Sequence, residues 1–186
     1  MSRIAGAVLA AGSGARMGRA KAELAVDGER LVDRAVRVLR SGGCEPVVAI
    51  VRADARVPGA VVVVNPAPER GMRSSLELAV GEAGDVDALA VLLVDVPGID
   101  ARAIAAVIAA WQPGRIAVGS YPGGRGHPTV MAPALWRDAL ARAGRDEGAR
   151  ALLNSRSDLV DEVDVAGDVA DLDTPADVAR WTSRNR

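Results

Sequence analysis

Residues 4–18 read IAGAVLAAGSGARMG, and this stretch decides the fold. Its first seven residues, 4–10, are apolar or glycine without polar alternation, which suits a strand covered on both faces. The run then breaks into Gly12, Ser13 and Gly14, small residues that let backbone N–H groups approach an anion, and Arg16 and Lys21 follow with positive charge. A basic, glycine-rich loop at the carboxyl end of a first parallel strand lies where open α/β sheets bind phosphate. The dinucleotide fingerprint is excluded because Met17 stands where its third glycine belongs. A Walker loop is excluded because Gly18 is followed by Arg19 and no Gly-Lys-Ser/Thr occurs. The plain alternative is a glycine turn with solvated basic residues.

Further apolar runs of strand length occupy residues 47–51, 60–64, 88–94 and 116–119, and the first three again show little alternation, as expected of strands buried on both faces. Between them lie segments with helical spacing, carried by Leu31, Val32, Ala35, Val38 and Leu39, by Leu76, Leu78 and Ala79, and by Ile104, Val107, Ile108 and Trp111. Strands alternating with helices predict an α/β fold, a doubly wound, mainly parallel sheet flanked by helices. Downstream, 127–131 reads as a strand and 133–143 as a helix opened by proline, with a second helix over 147–153; together they are expected as an elaboration beside the sheet. A strand at 159–165 precedes Asp171, Leu172, Asp173 and a final helix, with Thr174 as cap and Asp177 three residues on. The length of 186 residues, without repeats or a linker, suits one domain over 1–186.

Composition narrows the partners. Lysine and arginine number 23 against 24 acidic residues, so the net charge of −1 offers no footprint for a polyanion such as DNA. Aromatic residues are 2% of the chain, too few for base-stacking platforms, so the core is expected from Val, Ala, Leu and Ile. Cys44 is the only cysteine, which excludes an internal disulfide and a multi-cysteine metal site and suits a reducing compartment. The apolar start runs into glycine and charge, unlike a signal peptide or membrane span, and a cytoplasmic protein acting on a small molecule is expected.

Two carboxylates stand where they can meet the phosphate loop. Asp95 follows the apolar run 88–94 directly, at the carboxyl edge of a central strand, and Asp173 sits between a strand and a helix. A hard cation such as Mg²⁺ takes one or two carboxylates plus phosphate oxygens. Either aspartate alone would be an ordinary cap or turn residue; with the basic glycine loop they form a set. Asn65, then Gly71, Met72, Arg73, Ser74 and Ser75 at a helix start, are placed equally well to bind a base edge or to cap the helix. Arg125 and His127 lie in a glycine-rich loop, 121–128; this histidine suits a ligand contact better than proton transfer.

These residues resemble a known family. LAAGSGARMGRAK, NPAPERGMRSSL, LLVDVPGI, GGRGHPTVM and DLDTPADV, in this order, are similar to the motifs of the molybdenum cofactor nucleotidyltransferases, most closely the cytidylyltransferase branch. The resemblance spans Gly6 to about Trp181. It implies a Rossmann-like nucleotidyltransferase fold with a mixed sheet, and transfer of a nucleoside monophosphate from an NTP to the phosphate of a molybdopterin-type cofactor, with release of pyrophosphate. It further implies that Leu9, Ala10, Ala11, Gly12, Ser13 and Gly14 line the nucleotide with Asn65 and Ser75, that Arg16 and Lys21 hold the triphosphate, and that Asp95 and Asp173 hold Mg²⁺. Arg16, Lys21 and Asp95 would be catalytic, and Gly71, Met72, Ser74, Arg125 and His127 would face the acceptor. The guanylyl branch reads LAGG where this chain has LAAG, with Ala11, so the resemblance implies CTP before GTP. A molybdenum hydroxylase is the implied recipient of the product. A GTP-dependent enzyme, a transferase acting on a sugar phosphate or similar small phosphate, and a non-catalytic nucleotide or cofactor carrier are the alternatives.

Overall fold

The computed structural model describes residues 2–18, 20–144 and 147–184, with only the backbone of Arg16. The strands are β1 (Ile4–Ala10), β2 (Ala25–Val26), β3 (Glu29–Arg30), β4 (Val47–Val51), β5 (Val61–Val64), β6 (Ala88–Leu93), β7 (Ile116–Tyr121), β8 (Gly124–Met131) and β9 (Val160–Asp164). The helices are α1 (Leu31–Ser41), α2 (Met72–Glu82), α3 (Ala101–Ala110), α4 (Pro133–Arg142), α5 (Arg150–Ser155) and α6 (Pro175–Arg184).

Seven strands form one sheet in the order β5-β4-β1-β6-β8-β7-β9; β2 and β3 make a separate small hairpin. β1 pairs in parallel with β4 on one side and β6 on the other, so its backbone is satisfied by two ladders and its side chains must all face protein. Every residue of β1 is accordingly buried. Ile4, Val8 and Ala10 face one core with α1, α3 and α6, and Ala5, Ala7 and Leu9 face another with α2, α4 and α5. Helices thus cover both faces, as the alternation of strands and helices predicts. The small residues of β1 admit close neighbours: a Cβ added at Gly6 would lie 3.0 Å from the Cβ of Cys44.

Three expectations change with tertiary context. Residues 127–131 belong to the sheet itself: β8 is longer than predicted, begins at Gly124, and enters antiparallel between β6 and β7. Most of the expected glycine-rich loop is therefore the tip of a β7–β8 hairpin, because Gly124, Arg125 and Gly126 pair with β7 and are sheet whatever their glycine content. β5, expected to be buried on both faces, is an edge strand paired only with β4, and Val61 and Val64 are 52% and 43% exposed. The aromatics also enter the core. Trp111, Tyr121, Trp136 and Trp181, all the aromatics of the chain, are buried, and Trp136 donates its indole N–H to the Leu89 carbonyl at 2.9 Å. An indole can be buried at this depth because its one polar atom is paired.

Trp136→Ala is expected to lower the unfolding free energy by about 3–5 kcal/mol, read from the denaturant midpoint; an unchanged midpoint would contradict the packing described. Cys44 is buried without a disulfide, and burial pushes its thiol up to about 12. The folded state thus favours the neutral thiol. The stability this confers is complete below the ordinary thiol pKa of about 9 and is lost as pH rises from there towards 12. Maleimide at pH 8 should accordingly label the unfolded chain and leave the native chain essentially unlabelled.

Candidate active site

The carboxyl ends of β1 and β6 lie side by side, because Leu9 pairs with Leu93. The chain leaving β1 therefore passes beside the chain leaving β6, and the glycine loop meets Asp95. Gly14 occupies the left-handed region, with φ 59° and ψ 34°, and its carbonyl accepts from the Met17 N–H at 2.7 Å. Glycine holds that conformation at little steric cost, and the chain turns back towards the sheet. Lys21 opens a short 3₁₀ turn, Lys21–Glu23, further along the same excursion.

Asp173 is brought in from far along the chain by backbone bonds. The Leu172 N–H donates to the Asp95 carbonyl at 2.9 Å, and the Asp168 N–H donates to the Gly98 carbonyl at 3.2 Å. Leu172 is buried beneath this strap. A Cβ at position 98 would lie 2.2 Å from the Asp168 carbonyl oxygen, so only glycine admits the strap there. Asp177 fixes the other side: its Oδ2 accepts from the Asp173 and Thr174 N–H groups, and its own N–H donates to Thr174 Oγ1 at 3.3 Å. This is the capping arrangement expected from the sequence, with an additional hold on the Asp173 backbone.

The Lys21 ammonium donates to Asp95 Oδ2 at 2.7 Å and also to Asp173 Oδ1. The side chains of Lys21 and Asp95 are 17% and 18% exposed. Burial by itself would pull the ammonium pKa down, but the hydrogen bonds and charges of Asp173 and Asp95 outweigh it and raise it above 10.5, so Lys21 stays charged. Asp171 adds a third carboxylate nearby, unassigned in the sequence reading; burial and then the charges of Asp95 and Asp173 hold its carboxyl above the ordinary aspartate range. Asp95, Asp171 and Asp173 thus gather around the Lys21 ammonium. Among the described residues no group of three or more His, Cys, Asp or Glu side chains forms a metal cage. Asp95 and Asp173 converge on one point, and two carboxylates fit a hard divalent ion that takes its remaining ligands from phosphate and water.

Lys21, Asp95 and Asp173 line a cavity of about 380 Å³ together with Leu9, Ala11, Gly12, Ser13, Gly14, Gly71, Met72 and Ser75. Ala10 is buried in the sheet behind it. Asn65 also stands behind the wall. Its amide gives one hydrogen to Ser74 Oγ and the other to Ser75 Oγ, at 2.9 and 3.0 Å, while its carbonyl oxygen accepts from the Ala67 N–H. Ser74 lies within reach of the Gly71 and Ala67 carbonyls, is consumed internally, and lines neither this cavity nor the next. Ser75 only accepts in that network, so its hydroxyl hydrogen remains for the cavity. The side chain of Arg16 lies outside the described residues.

A second cavity of about 370 Å³ adjoins the first, sharing Met72 and Leu93 with it, and holds Arg125, His127 and Thr129 from β8 opposite Glu147, Arg150 and Asn154 around α5. Gly71 belongs to the first cavity and not to this one. Arg125 pairs with Glu162 of β9 at 2.6 Å. Burial pushes the His127 imidazole below 6.5 despite its bond to the Val91 carbonyl. The Glu147–Asn154 wall carries no motif legible in the sequence.

A mainly parallel sheet with a glycine loop and two converging aspartates at its carboxyl edge defines a nucleotide-handling α/β site. Residues 6–161 match the family described as the MobA-like NTP transferase domain, and the chain belongs to that family of nucleotidyltransferases. It is 32% identical over 188 residues to the nicotine blue oxidoreductase of Paenarthrobacter nicotinovorans, covering 92% of each chain. It is 44% identical over 106 residues to the probable molybdenum cofactor guanylyltransferase of Opitutus terrae, covering 54% of this chain and 52% of that one. Rv0371c from Mycobacterium tuberculosis H37Rv superposes with a TM-score of 0.83 at 27% identity over 98% of both chains. A structure of Rv0371c in complex with manganese superposes at 0.80 and 26% identity, over 98% of this chain and 99% of that one. Among the described residues no helix is long and apolar enough to cross a membrane.

Gly98→Ala is expected to cost about 1–3 kcal/mol in denaturant unfolding by forcing the strap away from the loop. A midpoint equal to that of the unsubstituted chain would show that the strap yields freely.

Proposed function

We propose that the protein transfers a nucleoside monophosphate, CMP from CTP, to the terminal phosphate of a molybdopterin-type cofactor and releases pyrophosphate. The observation that carries this reading is the Lys21 ammonium bonded to both Asp95 and Asp173 on the wall of the glycine-lined cavity. An acceptor phosphate oxygen attacks the α-phosphorus, the bond to the oxygen bridging to the β-phosphate breaks, and pyrophosphate leaves with the electron pair. Both reactants are anions, so the protein must supply positive charge and alignment more than a nucleophile of its own. The acceptor phosphate is already ionised at neutral pH, and no general base is required.

Lys21 serves this chemistry as a permanently charged donor for the triphosphate, with the backbone of the 12–14 turn around it. Asp95 and Asp173 would hold Mg²⁺, which when bound neutralises charge on the phosphates. Ser75 offers its hydroxyl hydrogen to a base carbonyl, such as O2 of cytosine, and Asn65 holds that hydroxyl in place. Ala11, on the cavity wall, puts a methyl group where a glycine would leave bare backbone, which is the basis for preferring the smaller base. The similarity over half the chain to a probable guanylyltransferase makes GTP the competing nucleotide. Transfer of the product to a molybdenum hydroxylase rests on the sequence resemblance alone.

Calorimetric titration with CTP, GTP, ATP and UTP, each with and without Mg²⁺, tests the base and the metal. Mg·CTP is expected to bind most tightly; tighter binding of Mg·GTP would move the protein to the guanylyl branch, and binding of none would favour a cofactor carrier. Asp95→Asn should cut pyrophosphate release by about 100-fold or more while leaving thermal unfolding near that of the unsubstituted chain. Undiminished turnover would remove Asp95 from the metal site, and dye reduction without pyrophosphate release would point instead to a redox activity.

A further inference from the structure

The second cavity carries two polar atoms whose roles are fixed by their other bonds. His127 Nδ1 lies 3.1 Å from the Val91 carbonyl oxygen, which can only accept, so Nδ1 carries the proton and the neutral ring leaves Nε2 as a bare acceptor. The named pairs of β6 with β8 end at Val91 and Thr129, and Pro128, next along β8, has no N–H to offer. The His127 side chain thus extends the contact between the strands, which holds its ring in one orientation.

Thr129 stands two residues further on, past the register shift where β7 passes from Val118–Thr129 to Gly119–Gly126 pairing. It is buried and lines the same cavity. Neither His127 Nε2 nor Thr129 Oγ1 has a protein partner among the described residues, yet no buried side-chain polar atom there lacks one. Both atoms are therefore open to the cavity they line. An acceptor beside a hydroxyl that can donate is the complement of a lactam edge, an N–H next to a C=O. Among the described residues Arg150 has no side-chain partner and Glu147 is the one carboxylate lining this cavity, a wall that suits a ligand with an anionic tail. The shared residues Met72 and Leu93 lead from here to Asp95 and Lys21.

We propose that the second cavity seats the heterocycle of the acceptor, with His127 Nε2 accepting from its lactam N–H and Thr129 Oγ1 donating to its lactam carbonyl. This rests on the molybdopterin-type acceptor proposed above, whose pterin ring carries such an edge. The two residues select the acceptor, while Lys21, Asp95 and Asp173 serve the nucleotide.

The test is fluorescence titration of the full chain with neopterin 3′-monophosphate, a pterin with one phosphate, beside calorimetry with Mg·CTP and Mg·GTP. His127→Asn keeps an amide able to donate to the Val91 carbonyl but removes the acceptor at the Nε2 position. Thr129→Val removes the hydroxyl at nearly constant shape. Each is expected to weaken the pterin phosphate about tenfold and to leave nucleotide affinity within about twofold of the unsubstituted chain. Unchanged pterin affinity in both variants would overturn the inference, as would absence of pterin binding in an unsubstituted chain that binds nucleotide. A chain that binds neither ligand would overturn the nucleotidyltransferase reading, and this inference with it.

Discussion

Everything at the site depends on β1 being paired in parallel on both sides and covered on both faces. A central strand in that position admits no polar side chain and gives its backbone no freedom, so the point where it ends is fixed in space. Leu9 pairs with Leu93, and the chains leaving β1 and β6 emerge together at one edge. The glycine loop and Asp95 are neighbours because two ladders end there, and the side chains of the loop take no part in bringing them together.

The electrostatics follow from that placement. Leu172 and Asp168 are hydrogen-bonded onto the turn after Asp95, which places the Asp173 carboxylate beside a charge of the same sign. Such a juxtaposition is unfavourable unless a cation stands between, and the Lys21 ammonium meets both carboxylates. The same pair that keeps Lys21 charged is the one that, in the proposed function, would hold the metal.

The antiparallel β8 gives the fold its second cavity. It enters between β6 and β7, and His127 and Thr129 along it line that cavity together with residues of α5. The two cavities meet at Met72 and Leu93, so a ligand of the first lies within reach of a ligand of the second without any rearrangement of the sheet.

Local chemistry was legible in the sequence wherever a residue's neighbours in the chain settle its role. The apolar runs that became β1, β4 and β6, the glycine turn at 12–14, the cap formed by Thr174 and Asp177, and the doubly wound class follow from hydrophobic pattern and turn propensity, which act over a few residues. The candidate pair Asp95 and Asp173 was also legible, Asp95 because it comes directly after an apolar strand and Asp173 because it stands just before a capped helix. Tertiary structure alone decided that β5 lies at an edge and β8 within the sheet, because strand order is set by pairing between distant segments. It also decided that Asn65 and Ser74 support the wall from behind while Ser75 faces the cavity, since adjacent residues of a helix point about 100° apart and only packing decides which of them meets the open side. The strap at Gly98, which needs a glycine only because Asp168 arrives there, and the bond from His127 to Val91, 36 residues apart, have no local signature. Contacts of this kind depend on chain segments meeting in space, and residue order carries no direct record of that.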